Sequence, residues 1–162
     1  MRFLWLAVLG GLIADVGFAQ TLAPKPRAFQ QITLATGASS ASASPGSVVS
    51  LWVDVTPKPT MRVYAAGAKN VTPIALVLTV PAGIRAGRPK YPEAELLDTP
   101  GEVERVPVHR GPFRITQPVT IGKTWKSGES VTVTGVLNYE ACDDRVCYPA
   151  ATIPVSWQIR VK

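Results

Sequence analysis

Residues Ser130–Tyr139 read Ser-Val-Thr-Val-Thr-Gly-Val-Leu-Asn-Tyr. Val131, Val133, Leu137 and Tyr139 fall on one side, with Thr132, Thr134 and Asn138 on the other. Side chains along a strand alternate between faces, so this period of two predicts a half-buried β-strand. The end of the chain repeats the pattern: Val155, Trp157, Ile159 and Val161 alternate with Ser156, Gln158 and Arg160. A one-residue slip in either strand would turn Leu137 or Trp157 into solvent, so their register should be firm.

The same rhythm extends toward the N-terminus. Val49, Leu51, Val53 and Val55 alternate with Ser50, Trp52, Asp54 and Thr56 until Pro57-Lys58-Pro59 breaks the run. Residues 61–65, 74–80, 103–108 and 113–121 give further short strands. Pro107 and Pro118 predict that two of these lie at sheet edges or are interrupted. No window carries a helical stripe. Fifteen prolines and thirteen glycines suit a chain of many short strands and turns. The expected class is all-β: an immunoglobulin-like β-sandwich, with a small Greek-key barrel as the alternative.

The chain has 162 residues, which points to one domain. Residues 1–19 have the form of a signal peptide: Arg2, an apolar run over residues 3–13, and Gly17-Phe18-Ala19 as the cleavage site. Residues 20–46 are rich in Pro, Ser and Ala and read as an extended leader and a flexible connection. The folded domain is expected over residues 47–162, exported to an oxidising compartment, the periplasm.

The formal net charge is +6. The basic residues are scattered and no aromatic residues interleave with them, so no nucleic-acid partner is indicated. The acids are less even. Glu93, Glu95, Asp98, Glu102 and Glu104 fall in the segment 91–110, whose length suggests a functional loop or an idle insertion. Glu140, Asp143 and Asp144 surround the first of two cysteines.

Those cysteines, Cys142 and Cys147, sit where the two clearest strands must turn. Residues facing each other across antiparallel strands are spaced suitably for a disulfide. Closing so small a loop contributes only about 2 kcal/mol in the chain-entropy model, which makes a weak staple. An inert hairpin bridge and a redox pair both remain open on spacing alone. Two thiols and His109 fall short of a closed zinc site, so no metal and no cofactor are expected. No nucleophile and base are arranged for hydrolysis.

At Tyr139-Glu140-Ala141-Cys142-Asp143-Asp144-Arg145-Val146-Cys147-Tyr148-Pro149 the chain resembles the N-terminal periplasmic domain of the thiol:disulfide interchange protein DsbD. Weaker likeness lies in Met61-Arg62-Val63-Tyr64-Ala65, in Val80-Pro81-Ala82-Gly83-Ile84, and in Val108-His109-Arg110-Gly111 followed by Pro118-Val119-Thr120-Ile121. The resemblance implies an immunoglobulin-like domain whose Cys142 and Cys147 cycle between disulfide and dithiol. Cys147 would be attacked by the donor thiol and Cys142 would resolve. Tyr64 and Tyr148 would flank the site, and Tyr91 with the acidic stretch after it would form a cap loop. The implied partners are a thioredoxin-like domain or membrane thiol electron carrier on one side and periplasmic thiol–disulfide proteins on the other. The expectation is a protein-disulfide reductase-type carrier that works with separate proteins.

Negative charge beside a sulfur disfavours the thiolate, so Glu140, Asp143 and Asp144, opposed only by Arg145, are expected to make the pair an electron donor and not an oxidant. A solvated turn is the plainer reading of the same acids. The competing function is a non-redox periplasmic binding or adaptor module with a structural hairpin disulfide.

Overall fold

The structure is a computed structural model that describes residues 27–98 and 104–162. The expected signal peptide over 1–19 lies outside the described residues. Every regular element among them is a strand.

The strands are β1 (Arg27–Ala28), β2 (Ile32–Ala38), β3 (Ser42–Ala43), β4 (Val48–Pro57), β5 (Arg62–Tyr64), β6 (Ala75–Thr79), β7 (Ile84–Ala86), β8 (Glu95–Leu97), β9 (Val106–His109), β10 (Phe113–Ile121), β11 (Ser130–Tyr139), β12 (Ala141–Cys142) and β13 (Ala151–Val161). They form three sheets. Two make the sandwich, ordered β1-β2-β4-β10-β7 and β3-β13-β11-β6. The third is smaller, ordered β12-β5-β9-β8. The architecture is an all-β, immunoglobulin-like sandwich.

The predicted alternation decides the core. Val49, Leu51, Val53 and Val55 of β4 are buried, as are Ile115, Val119 and Ile121 of β10. Val131, Val133, Leu137 and Tyr139 of β11 meet them from the other sheet, with Val155, Trp157, Ile159 and Val161 of β13. Fully burying an aliphatic side chain of this size contributes about 1.5–3 kcal/mol, which holds the alternation in register. Val133 faces Trp157 and Leu137 faces Ile153 along the β11–β13 ladder. The Trp157 indole N–H donates to the Trp52 carbonyl at 3.3 Å and so ties one sheet to the other.

The prolines sit where pairing lapses, though not at edges. Pro118 lies in β10, between β4 and β7. The β7 ladder runs only opposite residues 119–121, and the Gly87 N–H then donates to the Pro118 carbonyl at 2.8 Å. Pro107 lies in β9 opposite Leu96, and its carbonyl accepts from Ala65 N–H at 2.9 Å. In both cases the residue offers its acceptor and lacks a donor only where none is required.

Residues 27–46 depart from the expectation of a leader and flexible connection. β2 pairs with β4 from Ile32↔Pro57 to Ala38↔Leu51, and β3 pairs in parallel with β13. Ile32 and Leu34 are core residues, and the Tyr139 hydroxyl donates to Gln31 Oε1 at 3.1 Å. The sandwich therefore takes in chain from before residue 47. Gly37 is one reason for the difference: it lies opposite Trp52, and a Cβ there would fall 2.1 Å from the indole. The glycine is a bed for the Trp52 ring and not a flexible joint.

Pro81-Ala82-Gly83 is a turn, as its composition predicts. Ile84 N–H donates to the Pro81 carbonyl at 3.1 Å and Gly83 has φ +78°. A left-handed backbone at that position favours glycine.

Candidate functional site

The chain leaves the sandwich at Tyr139. β11 ends there, Glu140 is the corner, and β12 joins the third sheet by pairing with β5, Ala141 opposite Val63 and Cys142 opposite Arg62. The Tyr64 N–H donates to the Glu140 carbonyl at 3.2 Å. Alternation along this short pair sends Val63 and Ala141 into the core, both buried. It puts Glu140, Cys142, Arg62 and Tyr64 on the opposite face.

Cys142 and Cys147 face each other across an antiparallel bridge. Asp143 N–H donates to the Val146 carbonyl and Tyr148 N–H to the Ala141 carbonyl, each at 2.9 Å. The cysteines are thus the non-hydrogen-bonded pair between two ladder bonds, the position where facing side chains come closest. Their Cα atoms lie 4.0 Å apart and the sulfurs are joined as a disulfide. The two ends differ: Cys142 is 0% exposed, whereas Cys147 is exposed.

The Tyr64 hydroxyl stands over the bond, 3.2 Å from Cys142 Sγ and 3.5 Å from Cys147 Sγ. Disulfide sulfurs carry no proton, so in these contacts the hydroxyl donates. Glu140 supplies the third polar group. Its carboxylate and the two sulfurs all lie within 4.8 Å of one another. Thr72 N–H donates to Glu140 Oε2 at 2.9 Å and holds the side chain there.

Asp143 has another task. Its Oδ1 accepts from the N–H groups of Arg145 and Val146, both at 2.7 Å, and its Oδ2 accepts from the Tyr148 hydroxyl at 3.0 Å. The Arg145 amide, then that of Val146, hold its carboxyl below the ordinary carboxylate range. The same contact raises Tyr148 above the ordinary phenol range, the hydrogen bond to Asp143 being the main cause. Asp143 is an Asx-type brace for the loop between the cysteines. Asp144 is 86% exposed on its side chain and pairs with Arg62 at 3.2 Å.

Of the expected site residues, Cys142, Cys147 and Tyr64 come together directly, and Tyr148 and Asp143 frame the loop. Tyr91 goes elsewhere: its hydroxyl accepts from Leu76 N–H of β6 at 3.0 Å, which makes it an anchor for the chain entering β8. The described part of 91–110 is a β8–β9 hairpin, and three of its acids form surface ion pairs. Glu95 meets Arg110 at 3.7 Å, Asp98 meets Arg105 at 3.0 Å and Glu104 meets Lys69 at 2.8 Å. His109 is buried against Phe113 on β9, ring centroids 4.1 Å apart. Among the described residues, Glu140 is the carboxylate grouped with the sulfurs. The sequence puts Glu140 two residues before Cys142, beside Asp143 and Asp144, and the corner at 140 singles it out from them.

No family model matches the chain, and no curated protein matches it. Solved structures do. The N-terminal periplasmic domain of ScsB from Proteus mirabilis is similar with a TM-score of 0.52 and 13% identity, over 80% of this chain and 47% of that one. This chain thus spans about half the length of that structure. The reduced DsbD N-terminal domain of Neisseria meningitidis gives a TM-score of 0.47 and 19% identity, over 73% of this chain and 85% of that one. Over the part the two share, the chain therefore has the fold of the ScsB N-terminal periplasmic domain, and it carries a closed Cys142–Cys147 disulfide on its third sheet.

Proposed function

We propose that this chain is a periplasmic thiol–disulfide interchange domain whose Cys142–Cys147 pair cycles between disulfide and dithiol. The observation that carries the reading is the asymmetry of the bond: one sulfur buried, the other exposed, with the Tyr64 hydroxyl against both. Exchange proceeds by attack of a thiolate on one sulfur and departure of the other. A donor dithiol reaches only Cys147. Its thiolate bonds to Cys147 Sγ, the Cys142–Cys147 bond breaks, and Cys142 leaves as a thiolate. The Tyr64 O–H points where that charge develops. The donor's second thiol then attacks its own sulfur in the mixed disulfide, so the donor is oxidised and both cysteines are reduced. Delivery runs the same steps in reverse on an acceptor disulfide: Cys147 attacks and Cys142 resolves.

Val146, 54% exposed beside Cys147, offers an apolar contact to a docking partner. A thioredoxin-like donor and periplasmic thiol–disulfide acceptors are the partners of this reading. The periplasmic placement is supported by the signal-peptide pattern of residues 1–19 and by the described location of the similar ScsB domain.

The test is the reduction potential of the pair, read by alkylation after equilibration in glutathione or dithiothreitol buffers. A value of roughly −180 to −270 mV supports a carrier; one below about −300 mV marks an inert bridge and a non-redox adaptor module. Cys142→Ser leaves Cys147 free and should trap thiol partners as mixed disulfides only in the first case.

A further inference from the structure

The third polar group at the disulfide is a carboxylate. Glu140 sits at the corner between β11 and β12, its carbonyl bound by Tyr64 N–H and its Oε2 by Thr72 N–H. Both bonds are to backbone, so the carboxylate is positioned by the fold. Its placement within 4.8 Å of both sulfurs opposes thiolate formation, because like charges gather as the pair is reduced. A cation would resolve that conflict.

We propose that the reduced site binds a thiophilic divalent cation of the zinc class through Cys142 Sγ, Cys147 Sγ and a Glu140 oxygen, with solvent as the fourth ligand. Thiolate sulfur and carboxylate oxygen are both zinc donors, and three protein ligands plus water is the usual open zinc site. Zinc holds such sulfurs at about 2.3 Å and carboxylate oxygens at about 2.0–2.2 Å, so once reduction lets the bonded sulfurs part, three ligands already gathered within 4.8 Å can close on one ion. The Thr72 amide supplies the outer hydrogen bond that orients a ligating carboxylate. Exposure of Cys147 gives the ion its way in. His109, which packs on Phe113, is not among the gathered ligands.

The site is closed to metal while the disulfide stands and opens on reduction. A donor dithiol gives two electrons and two protons to the pair and becomes a disulfide. The two thiols then release two protons as the cation binds. This inference rests on the interchange reading only in requiring that the bond be opened. Metal would hold the reduced form, block Cys147 as a nucleophile, and make the reduction potential more positive.

The experiment uses the full chain reduced with a phosphine, which becomes phosphine oxide by taking oxygen from water, and then desalted without air. Zn2+ is titrated against a chromophoric chelator, and Cd2+ is added separately to read thiolate-to-metal absorption. We expect one ion per reduced chain and at least tenfold weaker binding to the oxidised chain. Glu140→Gln should bind at least tenfold more weakly with its two thiols still titrating. With zinc at about 100 times its Kd, the reduced form gains about 100-fold, which moves the potential up by about 59 mV. Equal binding by reduced and oxidised chains, or by Glu140→Gln and the parent, overturns the proposal. The comparison of reduced with oxidised parent needs no variant, so a misfolded Glu140→Gln does not blunt it. A potential below about −300 mV with zinc still bound on chemical reduction would remove the carrier reading and leave the metal site standing.

Discussion

The Tyr64 hydroxyl lies 3.2 Å from Cys142 Sγ, the sulfur that solvent does not reach. Tyr64 comes from β5 and Cys142 from β12, seventy-eight residues later, and the third sheet brings them together. A buried leaving thiolate has few ways to be stabilised, and this hydroxyl is one.

Tyr64→Phe keeps the ring and removes the donor. A hydrogen bond to a charged group contributes about 1.5–3 kcal/mol, so reduction by dithiothreitol at neutral pH should slow by roughly 10–150-fold. The melting temperature should change little. Stopped-flow traces of the two proteins decide it; equal rates would remove Tyr64 from the chemistry.

Asp143 braces the loop between the cysteines through the amides of Arg145 and Val146. Those bonds lower its carboxyl, so its contribution is full above the ordinary carboxylate value of 3.8 and is lost as pH falls through the lower folded value. Asp143→Ala should lower thermal stability at pH 7 and erase that part of the acid transition, as measured by melting curves from pH 2 to 7. Asp144→Asn, on an 86% exposed side chain, should do neither.

His109 is buried and its Nε2 has no hydrogen-bond partner among the described residues. Burial lowers its pKa from 6.5. Glu93, Glu95 and Arg110 line the shallow pocket beside it. The unfolded chain therefore takes up this proton first on acidification. Stability from this source is full above about pH 6.5 and falls below it, by at most about 1.4 kcal/mol per pH unit, until the folded value is passed. His109→Phe should flatten denaturant-measured stability between pH 5 and 7; an unchanged slope would exonerate His109.

Gly37 lies under the Trp52 indole; the Arg114 guanidinium stands 4.3 Å from the ring centroid and is itself held by Asp54 at 2.6 and 2.7 Å. Gly37→Ala puts a methyl into the ring. Overpacking of this kind costs about 1–3 kcal/mol, and chemical denaturation should read a loss in that range. A neutral substitution would mean that Trp52 can leave its bed freely.

The long strands were legible because each carries its own burial pattern. Val49 to Val55, Val131 to Tyr139 and Val155 to Val161 alternate over enough residues to specify strand, face and register, and a slipped register would expose every apolar side chain. The cysteine loop was legible for a similar local reason: four residues between two cysteines at a strand turn place them face to face. β2 was hidden because Thr36-Gly37-Ala38 looks like connection when its partner Trp52 is unknown. Tyr91 entered the expected site through the resemblance alone, and nothing local marks that its hydroxyl takes the Leu76 N–H. By itself the sequence determined an all-β chain, the ladder of its longest strands and the cysteine pair, all set by local periodicity and short spacing. Only the tertiary structure decided that one sulfur is buried and the other exposed, that Tyr64 covers both, and that Glu140 is the acid beside them while Asp143 holds the loop. Those relations depend on β12 leaving the sandwich to pair with β5, a contact between segments far apart in the chain that no local pattern encodes.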